Sequence, residues 1–340
     1  MGFLNNKQMD IIAEIGQAHD GSLGIAHSYI DALADTGVNA IKFQTHISDA
    51  ESSLNEKFRV NFSYVDKTRK DYWKRMEFTK DEWIGLKNHC EDKGLEFISS
   101  PFSIKAVELL EKLNVRRYKI GSGEINNFLL LERVSKTNKP ILISSGMSSY
   151  DELDKTINFL KKKNLDISLL QCTTSYPTKA GEWGLKLIPE LKKRYNIPVG
   201  FSDHSGDIFS CIAAATLGAS ILEFHTVFDK KMFGPDSESS LVISQIKQLV
   251  IGVKQIEQDL SSKIDYKSNN SKFIELKNIF EKSLCINKNV DKGHIIRIED
   301  LESKKPANFG ISSSEFETVL GKKLNRSLKK WDFIKESDIE

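Results

Sequence analysis

The 340-residue sequence lacks several features that mark common classes of protein. No apolar run approaches the roughly 20 residues needed to cross a bilayer, and the first residues, MGFLNNKQMD, lack the basic stretch and apolar core of a secretory signal. Lys and Arg total 49 against 47 acidic residues, a formal net charge of +2, which gives no reason to expect nucleic acid or an anionic membrane as partner. We therefore expect a cytoplasmic protein, in which a local basic cluster remains free to bind a phosphorylated small molecule.

Cysteine is scarce, and its spacing excludes the usual cysteine motifs. The sequence has four cysteines and no C-x-x-C pair, and each cysteine stands in an apolar or helical context: Cys90, Cys172, Cys211 and Cys285. Because a reducing cytosol keeps thiols free, we predict four buried free thiols.

Short apolar, β-branched segments recur along the first two-thirds of the chain. We predict eight strands, at residues 11–15, 40–44, 96–100, 117–121, 140–144, 167–173, 199–202 and 221–225. Segments of helical periodicity separate them, and capping boxes open two, at Thr79 with Glu82 and at Ser149 with Glu152. This alternation predicts parallel strands that close into a (β/α)8 TIM barrel. The alternative is a doubly wound open sheet, but its usual Gly-rich phosphate fingerprint is absent after the first strand.

The composition changes after about residue 265. The segment YKSNNSK is polar and predicts a linker, and short β-like pieces, SLCINKNV and HIIRI, follow it. We therefore divide the chain into a barrel domain (1–265), a linker (266–281) and a small α+β domain (282–340).

Two lysines stand inside predicted strands. Lys42 lies in AIKFQ and Lys119 in RYKIG, where a charged side chain needs a partner. Parallel barrels gather their catalytic groups at the C-terminal ends of the strands. Lysines and hydroxyls at neighbouring strand ends suit a phosphate and a carboxylate. The alternative is that each lysine merely pairs with a nearby Glu or Asp.

Two histidines and two glutamates also stand at predicted strand ends. His204 and His225 stand at the tips of the adjacent strands seven and eight, and two converging imidazoles suit a divalent metal with positions open for substrate and water; the alternative is that they serve only as hydrogen-bonding groups. Glu14 and Glu124 lie near the lysines. They are candidates for acid or base catalysis, or for holding the lysines in place, and the sequence does not separate these roles.

Nine motifs follow one another in the order found in a known family. They are AEIGQAHDGS, IKFQTH, FISSPF, YKIGSGE, ISSGM, QCTTSYPT, GFSDHS, EFHTVFD and GPDSESSL. Together they resemble the sialic acid synthase family, which makes nonulosonic acids such as N-acetylneuraminic, legionaminic and pseudaminic acid. The segment 283–340, with KNVDKGHII, DLESKKPANFG and LGKKL, resembles that family's antifreeze-like (SAF) domain.

The resemblance implies an enzyme that joins phosphoenolpyruvate to an N-acetylated amino-hexose and releases phosphate. It implies Mn2+, or else Mg2+ or Co2+, held by His204 and His225, and it assigns catalysis to Glu14, Glu124 and Lys119. The phosphate would contact Lys42, Lys119, Ser100, Ser122, Ser144 and Thr174, and the sugar would lie among Glu14, Gln44, Glu124, Tyr176 and Asp236. The family further implies a homodimer in which each SAF domain caps its partner's barrel.

Three positions affect which sugar the resemblance implies. Thr174 stands where the family often has Asn, and Lys305 stands where the SAF domain usually offers Arg, whose planar contact Lys does not reproduce. Asn61 is the candidate for a sugar-contacting Asn in the loop after strand two. The sugar therefore stays open between N-acetylmannosamine and a 2,4-diacetamido-trideoxyhexose.

Two rival functions share the barrel. Another phosphoenolpyruvate-dependent keto-acid synthase would lack a SAF domain. A non-catalytic carbohydrate-binding homologue would be expected to have lost strand-end groups that are all present here: Glu14, Lys42, Lys119, His204 and His225.

Overall fold

The computed structural model describes residues 9–60 and 62–340. The chain divides into two compact units, with the division between Ser261 and Ser262, and each unit is described by itself below. The helices of the described residues include none long and apolar enough to span a membrane. All four cysteines are buried and free, as predicted.

Within the described residues, the first unit is built on eight parallel strands, one for each predicted segment. They are β1 (Asp10–Gly16), β2 (Ala40–Thr45), β3 (Glu96–Pro101), β4 (Tyr118–Ile120), β5 (Ile141–Ser144), β6 (Ile167–Cys172), β7 (Val199–Asp203) and β8 (Ile221–Val227). Each strand pairs with the next, and β1 also pairs with β8, so the sheet closes. The TIM-barrel prediction is confirmed, and the open-sheet alternative is excluded. A short strand, β9 (Leu241–Val242), pairs with the end of β8.

Helices connect the strands and surround the barrel. They are α1 (Leu23–Ala34), α2 (Ser48–Glu51), α3 (Arg69–Met76), α4 (Lys80–Asp92), α5 (Ile104–Lys112), α6 (Phe128–Ser135), α7 (Tyr150–Lys161), α8 (Leu187–Tyr195), α9 (Phe209–Thr216) and α10 (Ile243–Ser261). Both predicted capping boxes form: Thr79 N–H donates to Glu82 at 2.7 Å, and Ser149 N–H donates to Glu152 at 2.8 Å. These bonds satisfy free backbone donors where α4 and α7 begin.

The barrel interior is apolar at one end and polar at the other. A compact cluster of inward-facing apolar side chains fills the N-terminal half: Ile12, Ala40, Ile98, Leu142, Leu170 and Ile221. Because side chains alternate along a strand, the next inward-facing residues stand two positions further on. On β2 they are Lys42 and Gln44, and on β8 they are Glu223 and His225. The apolar layer therefore closes the barrel below a polar chamber at the C-terminal ends of the strands.

The second unit has its own small core. Strands β10 (Ser283–Ile286) and β11 (Leu301–Lys304) pair antiparallel, around buried apolar residues Leu284, Ile286, Val290, Ile296, Ile311, Val319, Leu324, Leu328 and Ile334. Of the two predicted β-like pieces, SLCINKNV contains β10, whereas HIIRI contributes only a single bridge from Ile295 to Lys323. The segment predicted as a linker contains helix α11 (Ile274–Phe280).

Candidate active site

One cavity of about 390 Å³ lies at the C-terminal ends of the barrel strands, and every strand end contributes to its lining. All the site residues predicted from the sequence line it, except two. Asn61 lies outside the described residues. Lys305 lies in the second unit, where it is exposed and its ammonium stands 4.8 Å from the centre of the Phe280 ring.

The bottom of the cavity, which we call the floor, consists of Glu14, Lys42, Lys119 and Glu223. Lys42 Nζ lies 2.5 Å from Glu14 Oε1 and 3.8 Å from Glu223 Oε1, and Lys119 Nζ lies 2.5 Å from Glu223 Oε1. The four residues are at most 3% exposed. Both lysines thus have carboxylate partners, as the alternative interpretation required, yet both also face the cavity.

The floor carboxylates are held in their charged form. Burial acts to raise the pKa of Glu14, but His225, Lys42 and Lys119 outweigh it and lower that pKa. Burial likewise opposes ionisation of Glu223, but Lys119 and then Lys42 lower its pKa. Burial lowers the pKa of Lys119; we nevertheless take this pair as ionised, because Glu223 Oε1 accepts from both Lys119 and Ser202 Oγ. The floor is therefore electrically neutral, with two positive and two negative groups.

Three hydroxyl groups beside the floor, Ser122, Ser144 and Thr174, form what we call the hydroxyl cradle. Among the described residues, the buried Ser144 Oγ and Thr174 Oγ1 have no hydrogen-bond partner. A methyl group added at Gly146 would lie 2.3 Å from Thr174 Oγ1 and 2.6 Å from Ser122 Oγ, so only glycine leaves these hydroxyls in place. Since buried polar groups normally have partners, the cradle suits a ligand with several oxygen acceptors.

Two imidazoles stand on adjacent strands beside the floor. His204 and His225 have ring centres 5.3 Å apart, and Glu14 Oε2 lies 3.3 Å from His225 Nε2. His204 Nδ1 donates to Thr173 O at 2.9 Å, which leaves Nε2 as the ring's free ligand position. Against the effect of burial, Cys172 and this bond to Thr173 raise the pKa of His204 to about 9, so a metal ion would displace a proton there.

His204 and His225 provide part of the ligand set that a divalent metal ion needs. In residues 9–60 and 62–340, no group of three or more His, Cys, Asp or Glu side chains is arranged to hold a metal. The protein itself therefore offers two nitrogen ligands on the cavity wall, His204 and His225, and substrate and water would complete the coordination.

The entrance of the cavity, which we call the mouth, is formed by Arg59, Glu124, Tyr176 and Asp236. Arg59 Nη2 lies 2.8 Å from Asp236 Oδ1, and its guanidinium stands 4.0 Å from the centre of the Tyr176 ring. Burial raises the pKa of Glu124, although its bond from Asn127 Nδ2 opposes the shift. Glu124 therefore takes up a proton more readily than Glu14 does.

Several lining residues were not predicted to belong to the site. Arg59 lies in a loop without periodicity, and nothing in the sequence connects it with Asp236. Cys172 was predicted only as a buried thiol, but it also lines the cavity, with Sγ 3.9 Å from His204 Nδ1. Glu223 had a detectable signal, because it precedes His225 by two residues on one strand and so shares its face.

A closed parallel barrel with ionisable groups around one cavity at its C-terminal end defines the class of (β/α)8-barrel enzymes. Comparison of the sequence with models of known protein families narrows that class. The chain belongs to the NeuB family, whose model matches residues 29–265, and the SAF domain model matches residues 281–340. The predicted family and its C-terminal domain are confirmed.

Similar proteins are named as acid synthases. The chain is 34% identical to N,N'-diacetyllegionaminic acid synthase of Campylobacter jejuni, over 97% of this chain and 100% of the relative. It is also 34% identical to a pseudaminic acid synthase of Campylobacter jejuni, over 99% of this chain and 98% of the relative. A crystal structure of N-acetylneuraminic acid synthetase from Leptospira borgpetersenii, in complex with citrate, has a TM-score of 0.70 and 32% identity, covering 80% of this chain and 92% of that chain.

Proposed function

We propose that the protein is a nonulosonic acid synthase that condenses phosphoenolpyruvate with an N-acetylated amino-hexose. One observation supports this most: two buried lysines, two hydroxyls that have no partner among the described residues and two imidazoles all line the same cavity. Lysines and hydroxyls bind phosphate and carboxylate oxygens, and both groups occur in phosphoenolpyruvate. Among the rivals, a keto-acid synthase without a SAF domain is disfavoured by the match at residues 281–340.

The charge of the floor has a consequence for substrate binding. The floor is neutral, whereas phosphoenolpyruvate carries a phosphate and a carboxylate, so binding it needs additional positive charge nearby. His204 does not supply that charge by itself, because the Cys172 thiolate that raises its pKa to about 9 offsets the charge of the imidazolium. A divalent cation, Mn2+ or else Mg2+ or Co2+, held by His204 and His225 would supply the charge, together with Lewis-acid polarisation of the sugar carbonyl.

The proposed reaction forms one C–C bond and breaks one C–O bond. C3 of phosphoenolpyruvate attacks the aldehyde carbon of the open-chain sugar, and the aldehyde oxygen takes up a proton. Positive charge develops at C2, where water adds and gives up a proton. Phosphate then leaves with the bridging oxygen and takes up the proton of the new C2 hydroxyl, so that C2 becomes the keto carbon of the product.

The residues have distinct roles in this reaction. Lys42 and Lys119 donate hydrogen bonds to the phosphate and carboxylate oxygens, as preorganised groups in a buried site. Glu124 is the better proton carrier near neutral pH, because burial raises its pKa. Glu14 has a lowered pKa and stays ionised between Lys42 and His225, so we assign it the orientation of the attacking water.

The outer part of the cavity favours a sugar without a phosphate group. Two arginines line it, but both have acidic partners: Arg59 pairs with Asp236, and Arg69 lies 3.5 Å from Glu56. Acidic groups outnumber these arginines in the lining, even without Glu51, whose side chain is buried: they are Glu56, Glu124 and Asp236. Apolar surface for acetamido or deoxy methyl groups is also present, at Trp73, Phe102 and Met147. N-acetylmannosamine and a 2,4-diacetamido-trideoxyhexose both meet these conditions.

We further propose a homodimer in the cytoplasm, in which the SAF domain of one copy caps the barrel of the other and brings Lys305 to the sugar. Support comes from the loop between α2 and α3, near the mouth. It exposes a group of large apolar side chains, which association would cover: Leu54, Val60, Tyr64 and Val65. Asn61 in the same loop stays a candidate for sugar contact.

The test is phosphate release from phosphoenolpyruvate by the full chain with Mn2+. The panel contains N-acetylmannosamine, its 6-phosphate and a 2,4-diacetamido-trideoxyhexose. We expect release that depends on one of the uncharged sugars and is absent with the sugar phosphate. No release with any sugar, from folded and metal-loaded protein, would overturn the proposal.

A further inference from the structure

His46 is a buried cavity residue that the proposed reaction leaves without a role. It follows β2 directly, is 3% exposed and lines the cavity. Its ring is clamped on both faces: the Trp73 ring centre lies 3.9 Å away at an interplanar angle of 18°, and the Phe102 ring centre lies 4.5 Å away at 12°. The plane of the imidazole is therefore fixed by packing.

Both ring nitrogens of His46 have polar neighbours in that plane. Nδ1 lies 2.6 Å from Glu51 Oε1, and Glu51 Oε2 accepts from the backbone N–H of Ile47 at 3.2 Å. Nε2 lies 3.1 Å from Gln44 Oε1 and 3.3 Å from Gln17 Nε2. Because the Glu51 carboxylate only accepts hydrogen bonds, Nδ1 carries a proton and donates to it.

Gln44 continues this line of contacts to the floor. Its Nε2 donates to Glu14 Oε1 at 2.7 Å. An ionised carboxylate accepts only, so the amide nitrogen of Gln44 must face Glu14 and its oxygen must face His46 and Gln17. Since Nδ1 is the donor of the ring, Nε2 accepts from Gln17 Nε2, which also donates to Gln44 Oε1. Glu51, His46, Gln17, Gln44 and Glu14 thus form one connected chain from α2 to β1, which we call the positioning chain.

We propose that His46 is a positioning residue that holds the Gln44 amide in the orientation required to bind the sugar. This inference rests on the proposed function, in which Gln44 contacts the sugar. Packing alone would explain the aromatic clamp, but it would not explain why both edges of the ring meet hydrogen-bonding groups that lead to Glu14. Side chains at functional sites are commonly fixed in this way by a second layer of contacts.

The deciding variant is His46→Phe, which keeps a ring between Trp73 and Phe102 but removes both polar edges. Its apparent KM for the best sugar of the panel should rise by roughly tenfold, about the value of one lost hydrogen bond. The KM for phosphoenolpyruvate should stay within about twofold, because the variant disturbs the contacts to the sugar and leaves the contacts to phosphoenolpyruvate in place. Calorimetric binding of phosphoenolpyruvate alone should also match the wild type.

The matched control is His89→Phe, which removes an imidazole bonded to His27 and Asp31 between α1 and α4, away from the cavity lining. It should leave both KM values unchanged. If His46→Phe changes both KM values equally, or neither, the inference is wrong and His46 has a packing role only. Should His46→Phe fail to fold, Glu51→Leu, which leaves His46 Nδ1 without its acceptor, becomes the deciding variant: a selective rise in sugar KM supports the inference, and unchanged values overturn it.

These outcomes are separate from failure of the proposed function. If the wild-type chain consumes no sugar of the panel, the function itself is wrong. If the wild type is active but the variants are not selective, only the role of His46 is wrong.

Discussion

The charged groups of the cavity floor and those of its mouth are positioned by different parts of the structure. On the floor, Glu14 stands in strand register with Lys42 on one side and His225 on the other, so the sheet ladder brings these groups together. At the mouth, Arg59 and Asp236 come from separate loops, and the Arg59 side chain is 42% exposed. The backbone of the barrel sets the floor, whereas loop conformation sets the mouth.

This difference predicts different responses to substitution. Removing one partner of a buried ion pair leaves a charge without compensation and is strongly destabilising. An exposed pair contributes little, because solvent screens it. Floor variants should therefore lose both stability and chemistry, and mouth variants should lose mainly sugar affinity.

Lys119→Met should have the largest effect, because it leaves Glu223 buried without its closest cation. We expect the free energy of unfolding to fall by about 3–5 kcal/mol and kcat/KM to fall by about 10²–10³-fold, measured by urea denaturation and phosphate release. The double variant Lys119→Met/Glu223→Leu should regain stability but not activity. If Lys119→Met were as stable as the wild type, Glu223 would not need Lys119 as its compensating cation, which would contradict our description of the floor.

Gly146→Ala should disturb the hydroxyl cradle with little effect on the fold. The added methyl group would displace Thr174 Oγ1 and Ser122 Oγ, so the KM for phosphoenolpyruvate should rise by about 10–10²-fold, while the sugar KM changes little. Gly123→Ala is the control: Gly123 also lines the cavity, but nothing lies within 4 Å of its added methyl group. Equal effects of the two variants would show that the cradle does not bind the phosphate.

Arg59→Leu should affect the mouth alone. Losing its contacts to Asp236 and Tyr176 should raise the sugar KM by roughly three- to tenfold and change the free energy of unfolding by less than about 1 kcal/mol. The control is Lys57→Leu, which removes an exposed cation from the same loop. It should change neither the sugar KM nor the free energy of unfolding. A large loss of stability in Arg59→Leu would remove the distinction between mouth and floor.

The smallest effect should appear in the pH profile. The pKa of Glu124 is raised, whereas the pKa values of Glu14 and Glu223 are lowered. As the pH falls, Glu124 at the mouth is therefore protonated before the two carboxylates of the floor. Activity should therefore decline on the acid side at a higher pH in the wild type than in Glu124→Gln. Because the folded state holds this proton more tightly than the unfolded state, protonation of Glu124 adds stability as pH falls, and thermal melts should show that the decline is not unfolding. If activity declines at the same acidic pH in Glu124→Gln as in the wild type, Glu124 does not carry the proton.

The contrast also explains what could be predicted from the sequence. Lys42, Lys119, His204 and His225 line one cavity, and their positions at the C-terminal ends of predicted strands were enough to predict that they lie close together. The contact of Arg59 with Asp236 has no such signal, because it joins loops 177 positions apart. Helix α11 was predicted as linker, because its flanking sequence YKSNNSK is polar.

The most direct test of the central claim uses phosphoenolpyruvate labelled with 18O at the oxygen that bridges C2 and phosphorus. With Mn2+ and the best sugar, mass spectrometry of the products should find the label in the released phosphate, and a keto acid with the mass of the sugar plus phosphoenolpyruvate plus water minus phosphoric acid. Label retained in the keto acid would mean cleavage of the P–O bond. That result would contradict the proposed attack of water at C2.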